Sequence, residues 1–240
     1  MADKPTAWVM HMICASFCLA TVLAVASCST APPPDPNTPE KVDIPMKVFP
    51  LGAGAGHLPL SAALILPEAV RSATQPLEVH CGVRALYALE VGSVLKYAVR
   101  ETLAYVVSEV TIVNDRREAL GHYDLLIEPS VPVLSAKAKC ESQFGITEGT
   151  LTSSSFFTVT VADKNGGMLL EEEYRSGAYA EPFVQGGSKG IVRKALVSAS
   201  FQQPLAEMFN EMAKGLTGSP AVRSYVDGLA GGVAGSGPRR

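Results

Sequence analysis

The first half of the chain carries short apolar runs that are typical of buried strands. Residues 62–66 form a continuous apolar run that ends at a proline, residues 77–81 alternate apolar with polar side chains as a second strand would, and the apolar residues 86–89 extend that strand. Residues 123–131 form another run, in which Pro129 indicates a sheet edge or a bulge at the far end. These runs predict a sheet that is built largely from buried strands.

Two longer segments have the spacing of helices with one apolar face. In the first, residues 95–110 place apolar side chains three or four positions apart, and Ser93 is the expected N-terminal cap. Its β-branched end indicates that a strand follows. The second helix lies within residues 188–216, where Pro204 predicts a kink or a division and Gly215 the end.

Strict alternation predicts one clear hairpin in the second half. Residues 156–162 alternate large apolar side chains with threonine, and residues 168–174 place Leu170, Glu172 and Tyr174 on one face and Leu169, Glu171 and Glu173 on the other, which must be solvated. The intervening turn, residues 163–167, consists of residue types that tolerate positive φ. The preceding residues 135–155 are mostly polar and small, which predicts a long irregular loop.

The order of these elements predicts an α/β or α+β fold, with a single sheet and two main helices packed on one of its faces. The folded domain is expected at residues 58–216. Residues 28–57 are rich in proline and glycine, which predicts a flexible tether before the domain. Residues 217–240 are rich in Gly, Ala and Ser, which predicts a flexible tail with a short helix around residues 221–229.

The N-terminal region has two interpretations. Residues 5–34 contain no Asp, Glu, Lys or Arg, and the apolar part is long enough to span a bilayer as an uncut helix, which needs about 20 residues. The alternative is a cleaved signal peptide at residues 1–27, favoured by the small residues that crowd before Cys28 and by the proline-rich stretch after it.

Residues 25–28, with the sequence Val-Ala-Ser-Cys, resemble the lipobox of bacterial lipoproteins. The resemblance implies that Cys28 is the first residue of the mature chain and carries acyl chains such as palmitate. Several acyl chains hold a protein firmly at a membrane, since each buried CH₂ contributes about 0.8 kcal/mol. In lipoproteins of enteric type, a serine after the cysteine, here Ser29, implies transfer to the outer membrane; attachment to the inner membrane stays open.

As a whole, the chain resembles small envelope lipoproteins of Gram-negative bacteria. In outline it is similar to the lipopolysaccharide-assembly lipoprotein, to the auxiliary lipoproteins of transport systems and to the curli-secretion type. The segments that carry this resemblance are residues 25–28, 62–113, 123–131 and 156–174.

The resemblance implies an outer-membrane lipoprotein whose domain faces the periplasm. Its role would be that of a non-enzymatic accessory or scaffold, with an envelope protein as partner in an assembly or transport complex. The alternative is a periplasmic module that binds a small ligand or a cell-wall glycan through residues 135–155 and 153–157.

The predicted domain contains two cysteines, Cys81 and Cys140. In an exported protein an even pair can form a disulfide, which would contribute about 4 kcal/mol for a loop of this length. Two unpaired buried thiols are the alternative, and the sequence leaves both open because geometry decides between them.

Charge and motif content argue against several other functions. The net charge is −3 and no basic block occurs, so nucleic acid is not an expected partner. The three histidines of the predicted mature chain lack the spacing of zinc motifs, so no metal site is predicted; they are His57, His80 and His122. The glycine run at residues 52–56 is not followed by a helix, so no cofactor site is predicted.

Residues 186–190 match the letters of a Gly-x-Ser-x-Gly nucleophile motif. In that motif the triad histidine follows the serine along the chain, but the last histidine, His122, precedes Ser188. A helix cap is therefore the simpler role for Ser188, and no catalytic residue is predicted. A hydrolase that uses Ser188 is the remaining enzymatic hypothesis.

Overall fold

The computed structural model describes residues 37–44, 56–186 and 192–234, with side chains up to residue 229 in the last segment. The chain divides into two compact units, residues 1–38 and residues 39–240, and nearly all described residues belong to the second. Cys28, the predicted leader and Ser188 lie outside the described residues. Within the described part, no helix has the length and apolar character needed to cross a bilayer.

The described residues form ten strands and six helices. The strands are β1 (Glu40–Val42), β2 (Leu58–Ile65), β3 (Gln75–Cys81), β4 (Val83–Leu89), β5 (Val107–Val113), β6 (Leu125–Pro129), β7 (Val133–Gln143), β8 (Ile146–Asp163), β9 (Met168–Arg175) and β10 (Tyr179–Gly186). The helices are α1 (Glu68–Arg71), α2 (Val91–Val94, continuing as a π-helical turn Leu95–Val99 and as Arg100–Ala104), α3 (Arg116–Ala119), α4 (Lys194–Ser200), α5 (Gln202–Gly218) and α6 (Pro220–Ala234).

The fold is α+β and contains two sheets. The larger sheet has the strand order β10-β8-β6-β2-β5, and both β7 and β9 also pair with β8. The smaller sheet has the order β1-β4-β3. The prediction of a single sheet is therefore wrong. The β3–β4 hairpin closes on itself at Gly82 and takes β1 as its third strand, whereas β2 pairs in parallel with β5 and β6.

The predicted irregular loop is also wrong, because residues 135–155 form most of a second hairpin. Strands β7 and β8 pair from Val133 with Phe156 to Gln143 with Ile146. The turn consists of Phe144 and Gly145, with φ values of 52° and 78°, as a two-residue type I′ turn requires. Buried and exposed positions alternate along both strands, but many of the buried positions are occupied by small or polar residues, so the hydrophobic pattern is weak.

Strand β8 organises the larger sheet. Its first half pairs with β7 on one side and β10 on the other, and its second half pairs with β6 and β9. The β8–β9 pairing confirms the hairpin predicted for residues 156–174. In its turn, Asp163 Oδ1 accepts hydrogen bonds of 2.8 Å from the backbone N–H groups of Asn165 and Gly167.

The C-terminal helices cover the larger sheet. Phe209 of α5 meets Phe157 of β8 edge to face, with the ring centroids 5.5 Å apart, and Met208 and Met212 are buried beside it, as expected of core residues. The predicted division of this helix is confirmed, since α4 ends at Ser200 and α5 begins at Gln202, with Pro204 in its first turn.

Three details of the helices differ from the predictions. Helix α5 continues past Gly215 to Gly218; a Cβ at position 215 would collide with the hydroxyl of Tyr174, so this glycine permits close packing. Ser93 does not cap α2, and its Oγ instead donates a 2.7 Å hydrogen bond to the carbonyl of Glu90. Helix α6 occupies much of the predicted tail, because Val222 is fully buried in the core.

Candidate functional site

The two cysteines of the domain are joined in the structure. Cys81 ends β3 of the smaller sheet and Cys140 lies in β7 of the larger one, with their Cα atoms 5.4 Å apart and a disulfide between the sulfur atoms. The sequence left a disulfide and two free thiols open, and the structure contains the disulfide. The bond links the two sheets covalently at this point.

A glutamine side chain links the same two strands six residues earlier. Gln75 Nε2 donates to the carbonyl of Leu134 at 2.5 Å, and the N–H of Leu134 donates to Gln75 Oε1 at 2.8 Å. This primary amide satisfies backbone groups of β7 in the way that a neighbouring strand would. Since Gln75 lies beside Leu134 and Cys81 beside Cys140, β3 and β7 run next to each other in the same direction.

Strand β1, Glu40–Val42, is part of the folded domain. It pairs in parallel with β4, with Glu40 opposite Tyr87 and Val42 opposite Leu89. Val42 is 1% exposed, and Ile44 just beyond the strand is 3% exposed. Residues 40–42 fall within the segment predicted to be a tether, and they pair because their apolar side chains find a place in the core.

Helix α4 holds β1 from its other side. The Lys194 ammonium lies 3.3 Å from a carboxylate oxygen of Glu40, and Ser198 Oγ donates a 2.7 Å hydrogen bond to the carbonyl of Asp43. Exposed ion pairs contribute little to stability, typically less than about 1 kcal/mol, so the buried apolar contacts provide most of the attachment. Residues 40–44 are thus held firmly against the folded domain.

Large apolar side chains are exposed at one end of the molecule. Phe144 at the β7–β8 turn is fully exposed, Val184 of β10 is 73% exposed, Ile146 is 50% exposed and Val83 is 43% exposed. Residues 142–147 carry no charged side chain. We call Phe144, Ile146 and Val184 the apolar tip, since Val184 lies on the strand next to Ile146. The sequence contains a signal for this tip, because Phe144-Gly145 lies between two alternating segments. The prediction of an irregular loop for residues 135–155 missed it.

The smaller sheet carries a charged cluster near its turn. Glu78 accepts hydrogen bonds from Arg84 at 2.7 Å and contacts His80 Nε2 at 2.5 Å. The hydrogen bond from Arg84, followed by that from His80, lowers the pKa of the Glu78 carboxyl. All three side chains are exposed, so the cluster resembles ordinary surface ion pairing.

The histidines and cysteines of the described residues do not form a metal site. Across residues 37–44, 56–186 and 192–234, no three His, Cys, Asp or Glu side chains are placed to hold a metal ion. His80 contacts Glu78, and the thiolates that zinc would need are absent at Cys81 and Cys140, which are oxidised.

The segment proposed for glycan binding does not form a recognition loop. Ser153 and Ser155 are buried on the inner face of β8, and Ser153 Oγ donates a 2.5 Å hydrogen bond to the carbonyl of Ser200 in α4. Phe157 is 1% exposed and belongs to the core. These side chains therefore pack the domain and present no surface to a ligand.

A buried tyrosine connects the smaller sheet to the start of the C-terminal helices. Tyr87 of β4 is 2% exposed, and its hydroxyl donates a hydrogen bond to the carbonyl of Val192. Burial, assisted by the negative charge of Glu40, raises the pKa of Tyr87 to about 12. The folded domain therefore binds this proton more tightly than the unfolded chain does.

Alkaline pH is expected to destabilise the protein partly through Tyr87. An unfolded tyrosine ionises near pH 10, so the stability contributed by the raised pKa is complete below pH 10 and is lost as pH rises toward about 12, at up to about 1.4 kcal/mol per pH unit. In urea unfolding at pH 8 and pH 11, Tyr87→Phe should lose less stability between the two pH values than the wild type. Tyr97→Phe, at an exposed position, should behave as the wild type, and equal losses in all three proteins would contradict the assignment.

Comparisons with known proteins identify no family. No protein-family model matches the chain, and no curated protein matches it. Solved structures do show similarity. A protein of family DUF330 from Xanthomonas campestris is 12% identical with a TM-score of 0.43, over 77% of this chain and 98% of that one.

Two further solved structures also show similarity at low sequence identity. A Helicobacter pylori protein, described as a homolog of neuraminyllactose-binding hemagglutinin, is 10% identical with a TM-score of 0.46, over 77% of this chain and 96% of that one. The uncharacterized lipoprotein B of Nitrosomonas europaea is 14% identical with a TM-score of 0.29, over 80% of this chain and all of that one. At these identities and scores, the likeness assigns neither a family nor a function to the chain.

Proposed function

We propose that this chain is a lipid-anchored protein of the bacterial envelope, in which the domain acts as a non-enzymatic accessory or scaffold for a partner protein. The observation that carries the proposal is the lipobox-like sequence at residues 25–28, which precedes the first strand by only twelve residues, from Cys28 to Glu40. Lipid on Cys28 would therefore hold the domain close to a membrane surface.

The disulfide supports an exported location. Disulfides persist in oxidising compartments such as the periplasm and are rare in the cytosol. Here the bond between Cys81 and Cys140 links two sheets and lies beside core residues, so it belongs to the architecture of the domain. A domain built around this bond suits the periplasmic side of an envelope membrane.

The edge of the larger sheet supports a partner-binding role. Among the described strands, β10 pairs only with β8 and so lies at the edge of the larger sheet, where residues 179–184 have no second neighbouring strand. An edge strand of this kind can accept a strand from a partner through backbone hydrogen bonds. We assign the partner to this edge, and outer-membrane attachment follows the Ser29 rule as part of the same proposal.

Lipidation is tested by comparing two cysteines in the full chain. Cys28→Ala is expected to abolish incorporation of labelled palmitate and either to release the protein from the membrane fraction or to block cleavage of the leader, because the residue that accepts the acyl chains would be missing. Cys18→Ala, within the predicted leader, should leave both readouts unchanged. A Cys28→Ala protein that is processed normally and stays on membranes would contradict the lipid anchor.

Partner binding is tested with a photo-crosslinking amino acid in the full chain in its host. At Glu181, an exposed residue of β10, we expect one defined envelope protein to be crosslinked. The same amino acid at Tyr97, which is 61% exposed on α2, serves as the matched control. Equal crosslinking of many proteins at both positions would remove the assignment of the partner to the β10 edge.

A further inference from the structure

We infer that the apolar tip inserts into the lipid bilayer to which the chain is anchored, so that the domain stands on the membrane in a fixed orientation. The inference rests on the lipid anchor proposed above. It identifies the occupant of the exposed apolar residues as the acyl region of the bilayer.

The first argument is the direction of β1. Because β1 is parallel to β4, its N-terminal end points toward Val83, the first residue of β4, and toward the β3–β4 turn. The chain that leads back to Cys28 therefore leaves the domain at the end where that turn lies. A lipid on Cys28 draws this end toward the membrane.

The second argument places the β7–β8 turn at the same end. Strands β3 and β7 run in the same direction, and the disulfide holds Cys81 level with Cys140. Beyond this level, β7 continues to Gln143 and turns at Phe144. The β7–β8 turn, with Phe144 and Ile146 of the apolar tip, therefore lies at the end from which the anchored chain leaves, beyond the level of the β3–β4 turn.

The third argument is the length of chain available. Glu40 is level with Leu77, since both lie opposite Tyr87. The tip lies about seven residues further along the strands, or about 23 Å at about 3.3 Å per residue. The twelve residues from Cys28 to Glu40 can span at most about 40 Å, so the anchor can reach the plane of the tip with chain to spare.

The fourth argument is the chemistry of the tip itself. A bulky aromatic residue is rarely found at positive φ, yet Phe144 has φ 52° and its side chain is fully exposed, without cover from the described residues. The closest charged residues on either side along the hairpin are Glu141 and Glu148, which lie opposite each other. An uncharged apolar tip bordered by acidic residues fits insertion into a zwitterionic bilayer driven by apolar burial.

Tryptophan fluorescence tests the inference directly. The only tryptophan of the chain is Trp8, in the predicted leader, so the wild type measures any background. The lipidated protein, which would begin at Cys28 and contain no tryptophan in the wild type, is reconstituted with phosphatidylcholine vesicles, with or without bromine on the acyl chains. We expect brominated lipid to quench the Phe144→Trp variant at least about twofold, since its indole would lie at the acyl boundary.

Position 168 provides the matched control. Met168 is 66% exposed and lies opposite Ala162, at the far end of β8 from Ile146. Met168→Trp should therefore show no quenching above that of the wild type. Ile146→Trp is measured as well, so that the test stands if the turn does not tolerate the Phe144→Trp change.

The possible results distinguish failure of the inferred tip insertion from failure of the proposed lipid anchor. A protein that floats with the vesicles, while neither the Phe144→Trp nor the Ile146→Trp variant is quenched, overturns the inference and leaves the lipid anchor intact. Quenching at these positions that persists in a protein carrying Cys28→Ala supports insertion of the tip and shows that it does not require the lipid on Cys28. Equal quenching of Met168→Trp overturns the fixed orientation.

Discussion

Replacement of Cys81 and Cys140 together by alanine is expected to lower the free energy of unfolding by about 4 kcal/mol. The disulfide joins residues 59 positions apart, and opening a loop of this size restores a corresponding amount of conformational freedom to the unfolded chain. For a domain of this size, each kcal/mol shifts the Tm by about 2–4 °C, so the Tm should fall by about 8–16 °C.

Thermal unfolding followed by circular dichroism measures this effect. Adding a reductant should lower the Tm of the wild type to that of the double variant and should leave the double variant unchanged. Cys28→Ala, outside the domain, is the matched control and should keep the wild-type response to reductant, since Cys81 and Cys140 are unchanged. If the oxidised wild type and the double variant have the same Tm, the bond contributes nothing to stability.

The strength of this effect follows from what else joins the two sheets. Along β3 and β7, the disulfide joins the strands at one end and the Gln75 amide is hydrogen-bonded to Leu134 at the other. Two links six residues apart fix both the distance and the relative direction of the strands. Loss of the covalent link leaves a hydrogen-bonded one that is worth about 1 kcal/mol.

A hairpin can be predicted from the sequence when large apolar side chains alternate with polar ones along its strands. The β8–β9 hairpin was predicted because phenylalanine and valine alternate with threonine and a turn of favourable residues follows. The β7–β8 hairpin has the same geometry, but Ala136 and Ser153 take the buried positions and carry almost no hydrophobic signal. The local composition therefore predicted a loop where the chain forms a strand, because this strand is stabilised by pairing with its neighbours.

The division into two sheets could not be predicted for a different reason. Strand β1 has only three residues, and it pairs with β4 more than forty residues later in the chain. Which strand pairs with which depends on long-range contacts, and periodicity reports only the local conformation. For the candidate site, the sequence supplied Cys28 and both partners of the disulfide, while the apolar tip became visible only once Phe144 was placed at a turn.

The register of β8 makes a second large effect predictable. Phe156 and Phe157 are neighbours in sequence but lie on opposite faces of the sheet. Phe157 is 1% exposed and packs against Phe209 and Tyr174, with ring centroids 5.5 Å and 6.0 Å away. Phe156 is half-buried on the outer face, where the guanidinium of Arg175 lies 4.8 Å from its ring centroid.

Phe157→Ala is therefore expected to lower the free energy of unfolding by about 4 kcal/mol, because it leaves a cavity between β8 and α5. Phe156→Ala removes an exposed stacking contact and should cost about 1 kcal/mol or less. Urea unfolding of the two variants measures the difference, with m-values compared to verify that the transitions are alike. Because a slip of one residue moves every side chain of a strand to the other face, a larger loss for Phe156→Ala would show that the register of β8, and with it the position of the β7–β8 turn, is wrong.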